Sequence, residues 1–227
     1  MTKKLVLAIA LIFVAAASNE HRALAQQAKQ PQTQTQTKQQ PAAPPAHDHS
    51  QMHKKAEPMA DPSAAQKYFT DVELLTQDGE RVRFYSDVLK GKTVVVNVFF
   101  TTCTAVCPPM NRNMEKIQEA FGDRIGKDLH LVSITVDPVN DSPPRLKEYA
   151  QKFNARPGWT FLTGKKENVD WALYKLGQYV ETKDDHKTII IVGNEATGLW
   201  KKAFGLARSD ELVKVVQSVV DDKPATK

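Results

Sequence analysis

The sequence predicts an α/β domain, and three observations carry that reading. Residues 93–100, TVVVNVFF, form a near-continuous β-branched and aromatic run of the kind buried on both faces of a sheet. After it, Met110, Met114, Ile117, Gln118 and Phe121 recur at helical spacing. A second apolar run then follows at 129–136. Strand, helix and strand in that order mark a mixed layer architecture, not an all-helical or all-β one.

Each flanking element has its own local reason. Residues 69–75 and 81–85 alternate around Asp78-Gly79, which predicts a hairpin. Pro108 and Pro109 open the helix behind the first strand and Gly122 closes it. Ser142-Pro143 supplies a cap and first-turn pair for a helix with Leu146, Tyr149, Ala150 and Phe153 on one face. Residues 159–162 predict a short strand, and 169–176 a helix turning Leu173 and Leu176 inward. Residues 188–192, a turn at Gly193-Asn194 and residues 199–204 predict a second hairpin. Ser209, followed by Asp210 and Glu211, is expected to cap a last helix through Leu212, Val215, Val216 and Val219. The pattern is an α/β sandwich of thioredoxin type, a thioredoxin-like fold with an added N-terminal β-hairpin and a second hairpin late in the chain.

Composition divides the chain around this domain. Lys3 and Lys4, the apolar stretch 5–17 and Ala23-Leu24-Ala25 read as an export signal over residues 1–25. The stretch is shorter than the roughly 20 residues a membrane-spanning helix needs, so cleavage is expected and an uncleaved anchor is the alternative. Export implies a periplasmic domain, soluble or held at the inner membrane. No cysteine precedes Cys103, so a lipid-modified amino terminus is not expected. Residues 26–65 are rich in Gln, Pro, Thr and Ala and are expected to form a disordered tether, because so few apolar side chains cannot offset the entropy of ordering. Residues 66–222 make the folded domain and 223–227 a tail. The net charge of +5 comes from basic residues scattered among acids, which excludes a nucleic-acid stripe.

Only two cysteines occur, which excludes a disulfide-stapled scaffold and makes the pair chemically interesting. Cys103-Thr104-Ala105-Val106-Cys107-Pro108 lies between the strand at 93–100 and the helix behind it. Proline disfavours helical backbone in the residue before it, so Cys107 is expected at or just before the helix start and Cys103 in the loop. The helix terminus is expected to lower a nearby thiol's pKa. Thiolates favour soft or borderline metals, copper(I) or zinc. A closed zinc site wants four Cys or His ligands, and the domain offers only Cys103, Cys107, His130 and His186; copper fits better and zinc stays open. A plain local disulfide or two inert thiols is the bland alternative, and so short a loop would gain little from closure.

His186 stands just before the strand at 188–192, in the loop that faces the active-site loop of a thioredoxin-type fold. Thioredoxins carry a cis-proline there; this chain has Asp184-Asp185-His186-Lys187. The imidazole can complete a three-coordinate site, with Asp184 or Asp185 orienting its other nitrogen. His130 reads as a strand-start residue with no ligand role.

Residues 97–108, NVFFTTCTAVCP, with Ser133-Ile134-Thr135-Val136-Asp137-Pro138, Asp141 and His186 before a strand, together resemble the Sco/SenC family of copper chaperones. The resemblance covers about residues 68–220. It implies binding of Cu(I) or Cu(II) through Cys103, Cys107 and His186, and help in assembling the copper centre of cytochrome c oxidase. Asp137 matches an acidic position near the family's site, and a loop or capping role for it is equally open. Thr104 stands where relatives often have proline, and Lys187 where they have serine or threonine.

In the tether, His47, His49, Met52 and His53 gather copper-type ligands into a candidate auxiliary site. The functional expectation is a non-enzymatic exported metallochaperone. Its partner would be a copper-receiving oxidase subunit or another periplasmic copper carrier. The alternative is a thiol-disulfide oxidoreductase using Cys103 and Cys107. Thr104 and Cys107 also satisfy the T-x-x-C of peroxiredoxins, but the proline those enzymes carry four residues earlier is Phe100 here.

Overall fold

A computed structural model describes residues 62–223. The export signal, the tether before residue 62, the candidate auxiliary site of His47, His49, Met52 and His53, and the end of the tail lie outside the described residues.

Seven strands form one sheet: β1 (Glu73–Thr76), β2 (Arg81–Arg83), β3 (Thr93–Phe99), β4 (His130–Thr135), β5 (Trp159–Thr163), β6 (Ile189–Asn194) and β7 (Leu199–Phe204), in the order β2-β1-β5-β4-β3-β6-β7. Strands β3, β4 and β5 run parallel, and β6 lies antiparallel against the other side of β3. The β4-β3-β6-β7 core, with a helix after β3 and another after β7, is the thioredoxin-like arrangement. The β1–β2 hairpin extends it beyond β5.

Successive side chains of a strand point to opposite faces, and both faces of β3 are covered. Val95 and Phe99 face α2 (Cys107–Phe121), α3 (Pro143–Gln151) and α5 (Ser209–Val220). Val94, Val96 and Val98 face α1 (Pro62–Phe69), α4 (Lys166–Lys175) and a π-helical turn at Phe84–Leu89. The β-branched run therefore needs no polar alternation. Its buried polar member, Asn97, lies on the α2 face.

Several local expectations shift. Phe69 ends helix α1 instead of opening a strand, because Ala65 and Phe69, one helical turn apart, both bury against the π-helical turn. Among the described residues, regular structure begins at residue 62, inside the segment expected to be tether. Phe84 and Tyr85 leave β2 for the π-helical turn and are fully buried there. Ser142 has the extended backbone of a cap, but its side chain makes no capping hydrogen bond. Ser209 is the first residue of α5, and Arg208 holds the cap position. Strand β6 continues through Gly193 and Asn194, so the turn falls at 195–198 and closes at Gly198, whose φ of 74° suits glycine.

Parallel β3 and β4 end at the same edge of the sheet, and antiparallel β6 begins there. That edge collects the loop after β3, the loop after β4 and the segment leading into β6.

Candidate metal centre

The loop after β3 carries the cysteines. Its start is pinned by Asp141, whose carboxylate accepts hydrogen bonds from the Thr101 amide at 3.0 Å, the Thr101 hydroxyl and the Thr135 hydroxyl at 2.5 Å. Asp141 is fully buried, so these three donors satisfy a charge that water cannot reach. Cys107 is the first residue of α2, followed by two prolines that lack the amide hydrogens a first turn leaves unpaired. Its own amide donates to Cys103 Sγ at 3.4 Å. Both cysteines are free thiols, Cys107 wholly buried and Cys103 9% exposed.

His186 follows a single 3-10 turn, Lys183–Asp185. Its Nδ1 lies 2.8 Å from the Lys183 carbonyl oxygen and its Nε2 3.2 Å from Cys107 Sγ. A carbonyl can only accept, so Nδ1 carries the proton and Nε2 turns its lone pair toward the sulfur. That is the tautomer in which an imidazole binds metal. Phe100 packs edge to face with the ring, centroids 5.3 Å apart.

Cys103 Sγ, Cys107 Sγ and a His186 ring nitrogen all lie within 4.8 Å of one another, the one such group among the described residues. An ion bound at roughly 2.0–2.3 Å from three donors wants them about 3.5–4 Å apart, and the observed separations, from 3.2 Å between Cys107 Sγ and Nε2 to no more than 4.8 Å, bracket that range. Two soft sulfurs and one imidazole, shielded from water, suit a soft cation and offer nothing to magnesium or calcium.

Electrostatics correct one expectation. Burial, and then the adjacent Cys103 sulfur, push the Cys107 thiol well above its ordinary range. The helix terminus was expected to do the opposite, but removing a thiolate from water outweighs the partial charge of a few amides. Burial therefore favours the neutral Cys107 thiol, whose proton can be donated toward Nε2.

The surrounding residues correct others. Neither Asp184 nor Asp185 orients the ring: Asp185 accepts from the Thr182 hydroxyl at 2.5 Å, and the Lys183 carbonyl holds Nδ1. Backbone geometry wins because a 3-10 turn brings its first carbonyl back over the residue after the turn. Asp137 stands one residue further out, accepting from Lys183 Nζ at 2.7 Å and from the Asn140 amide at 2.9 and 3.0 Å. Burial raises its carboxyl, but these hydrogen bonds and the Lys183 charge outweigh that and hold it below its ordinary value. Lys187 points away, donating to the Gly177 carbonyl at 3.3 Å, so no ammonium faces the sulfurs. His130 sits half-buried at the start of β4, at the other end of that strand, and is not in the group.

A buried polar chain escaped sequence reasoning. Trp159 Nε1 donates to Ser133 Oγ, Ser133 donates to Asn97 Oδ1, and Asn97 donates to Asn111 Oδ1. Asn111 in turn donates to the Cys107 carbonyl at 3.0 Å and to the Tyr149 hydroxyl at 3.1 Å. The chain ties the first turn of α2 to β3, β4 and β5. Its signal was present: Asn97 inside an apolar run, and Asn111 on the inward stripe of α2.

Fold and site together define a thioredoxin-like domain with a thiol, thiol, imidazole group at the carboxyl edge of its sheet. A model of the SCO1/SenC family matches residues 60–221, and the chain belongs to that family. The SCO1 protein homolog of Bacillus subtilis is 33% identical over 118 residues, covering 50% of this chain and 59% of that protein. The chain spans about half the length of the curated relatives it matches. ScoI of Arabidopsis thaliana, solved with copper bound, superposes with TM-score 0.56 at 25% identity over 67% of this chain and 98% of that one. ScoI of Bradyrhizobium japonicum, also solved with copper bound, gives 0.54 at 26% identity over 65% and 96%. BsSco, described as having a disulfide switch and as one of the Sco family of cytochrome c oxidase assembly proteins, gives 0.57 at 26% over 68% and 94%.

Proposed function

We propose that this chain is an exported copper carrier, with Cys103, Cys107 and His186 as ligands. Acting from the periplasmic side, it delivers copper to, or prepares, the copper centre of a respiratory cytochrome c oxidase. The observation that carries the reading is the convergence of two sulfurs and a lone-pair-bearing Nε2 within 4.8 Å in a buried site. Relatives crystallised with copper support the choice of cargo, and a family named for oxidase assembly supports the recipient class. Among the described residues no helix is long and apolar enough to cross a membrane.

Titrating Cu(I) into the reduced chain against a chromophoric chelator tests this. One equivalent is expected at the folded site. His186→Ala is expected to weaken it about 100-fold and Cys107→Ser to abolish it, because removing one of three ligands leaves an incomplete shell. Unchanged affinity in His186→Ala would favour a dithiol enzyme instead. His47, His49, Met52 and His53 form a weaker collecting site in the same proposal. Replacing the three histidines by alanine is expected to remove only the low-affinity copper, and an unchanged total stoichiometry refutes that part.

A second reading rests on exposure: Cys103 Sγ accepts from the Cys107 amide and is the sulfur nearer solvent, 9% exposed beside a wholly buried Cys107. In it, Cys103 thiolate attacks a target disulfide and Cys107 displaces the mixed disulfide. The target is left as a dithiol and the chain as a Cys103–Cys107 disulfide.

A further inference from the structure

The loop between β4 and α3 touches both ligand-bearing segments. Asp141 at one end holds Thr101, which opens the cysteine loop. Asp137 at the other end holds Lys183, which opens the 3-10 turn before His186. We propose that residues 137–141 are a two-ended clamp setting the distance from imidazole to thiols, and that Lys183 is the positioning residue through which the clamp reaches His186.

Lys183 suits that task because both of its ends are engaged. Its backbone carbonyl fixes the proton on His186 Nδ1. Its ammonium is paired with Asp137 and lies 5.1 Å over the ring of Phe100, the same ring that packs against His186. The rest of the turn offers little anchorage: Thr182, Asp184, Asp185 and Lys187 are exposed, and Asp185 bonds only within the turn. An exposed ion pair is usually worth little. Here, however, the carboxylate is only 10% exposed and is oriented by Asn140, so the ammonium has a fixed point to reach. The pair therefore adds little to global stability and much to the place of one ring.

This inference deepens the copper-carrier reading and rests on it for cargo, but the clamp can be tested without copper. The variants are Lys183→Met, which keeps an apolar stem over Phe100 and loses the charge, and Lys183→Arg, which keeps the charge. In the metal-free full chain, nitrogen NMR of His186 should show the Nδ1-protonated tautomer in the wild type. It should shift toward a tautomer mixture in Lys183→Met and return in Lys183→Arg. Cu(I) affinity should fall about tenfold in Lys183→Met, the usual effect of losing a group that orients a ligand. It should stay within about twofold in Lys183→Arg. The unfolding midpoint should move by no more than about 2 °C in either. An unchanged tautomer and affinity in Lys183→Met overturn the clamp, as does a fall in midpoint with the tautomer unchanged. A tautomer shift in Lys183→Met beside a wild type that binds no Cu(I) supports the clamp and sinks the copper reading.

Discussion

The two sides of the site are held by different physics. Cys107 belongs to the core: it is wholly buried, it begins a fifteen-residue helix, and its carbonyl is tied through Asn111 and Asn97 to three strands. His186 is buried too, but the segment that carries it is a surface turn. It rides on one short turn whose neighbours are exposed, and it is steadied by its own backbone and by one lysine reaching a buried carboxylate. The difference teaches that one cluster of side chains can be supported unequally: the sulfur of Cys107 is anchored through the core, the imidazole through a single turn and one ion pair.

Perturbing each side separately sharpens the contrast. The largest stability effect should come from Asn111→Leu, which strands the Asn97 amide and the Tyr149 hydroxyl in the core. We expect a loss of about 3 kcal/mol in unfolding free energy by chemical denaturation. A loss below about 1 kcal/mol would show that the cysteine side is no firmer than the histidine side. Next comes Asp141→Asn, which keeps the shape but removes the charge that Thr101 and Thr135 donate to; a loss of about 1–2 kcal/mol is expected by the same measurement. The smallest effect is that of pH on the histidine side. The folded Asp137 carboxyl lies below its ordinary value of 3.8, so its pair contributes in full above that pH and fades as pH falls below it. The stability difference between wild type and Lys183→Met should thus be small and constant well above pH 3.8 and should close as pH falls through and below it. A difference that closes already near neutrality would place the pairing elsewhere.

What the sequence showed and what it hid follow the same division. The position of Cys107 at the start of α2 was legible because proline and the strand before it act locally. The strand at 93–100 was legible because burial on both faces leaves no alternation to misread. His186 was legible from its place before a strand. Its orienting group was not: Asp185 is adjacent in sequence, yet a 3-10 turn hands that role to the Lys183 carbonyl. The Lys183–Asp137 pair joins residues 46 positions apart, and the Asn97–Asn111 bond exists only after α2 packs on the sheet, so neither has a local signature. The thiol expectation failed for a related reason. A motif reports a helix terminus, but depth below the surface is a property of the finished fold.

The imidazole also arrives late. Seventy-nine positions separate it from Cys107, and it takes its place only when β6 zips alongside β3, Asn97 meeting Ile190. A growing chain therefore displays both sulfurs well before its third donor has been synthesised. In that interval it is a bare dithiol, and the timing of translation and compaction sets the earliest moment at which all three groups can meet.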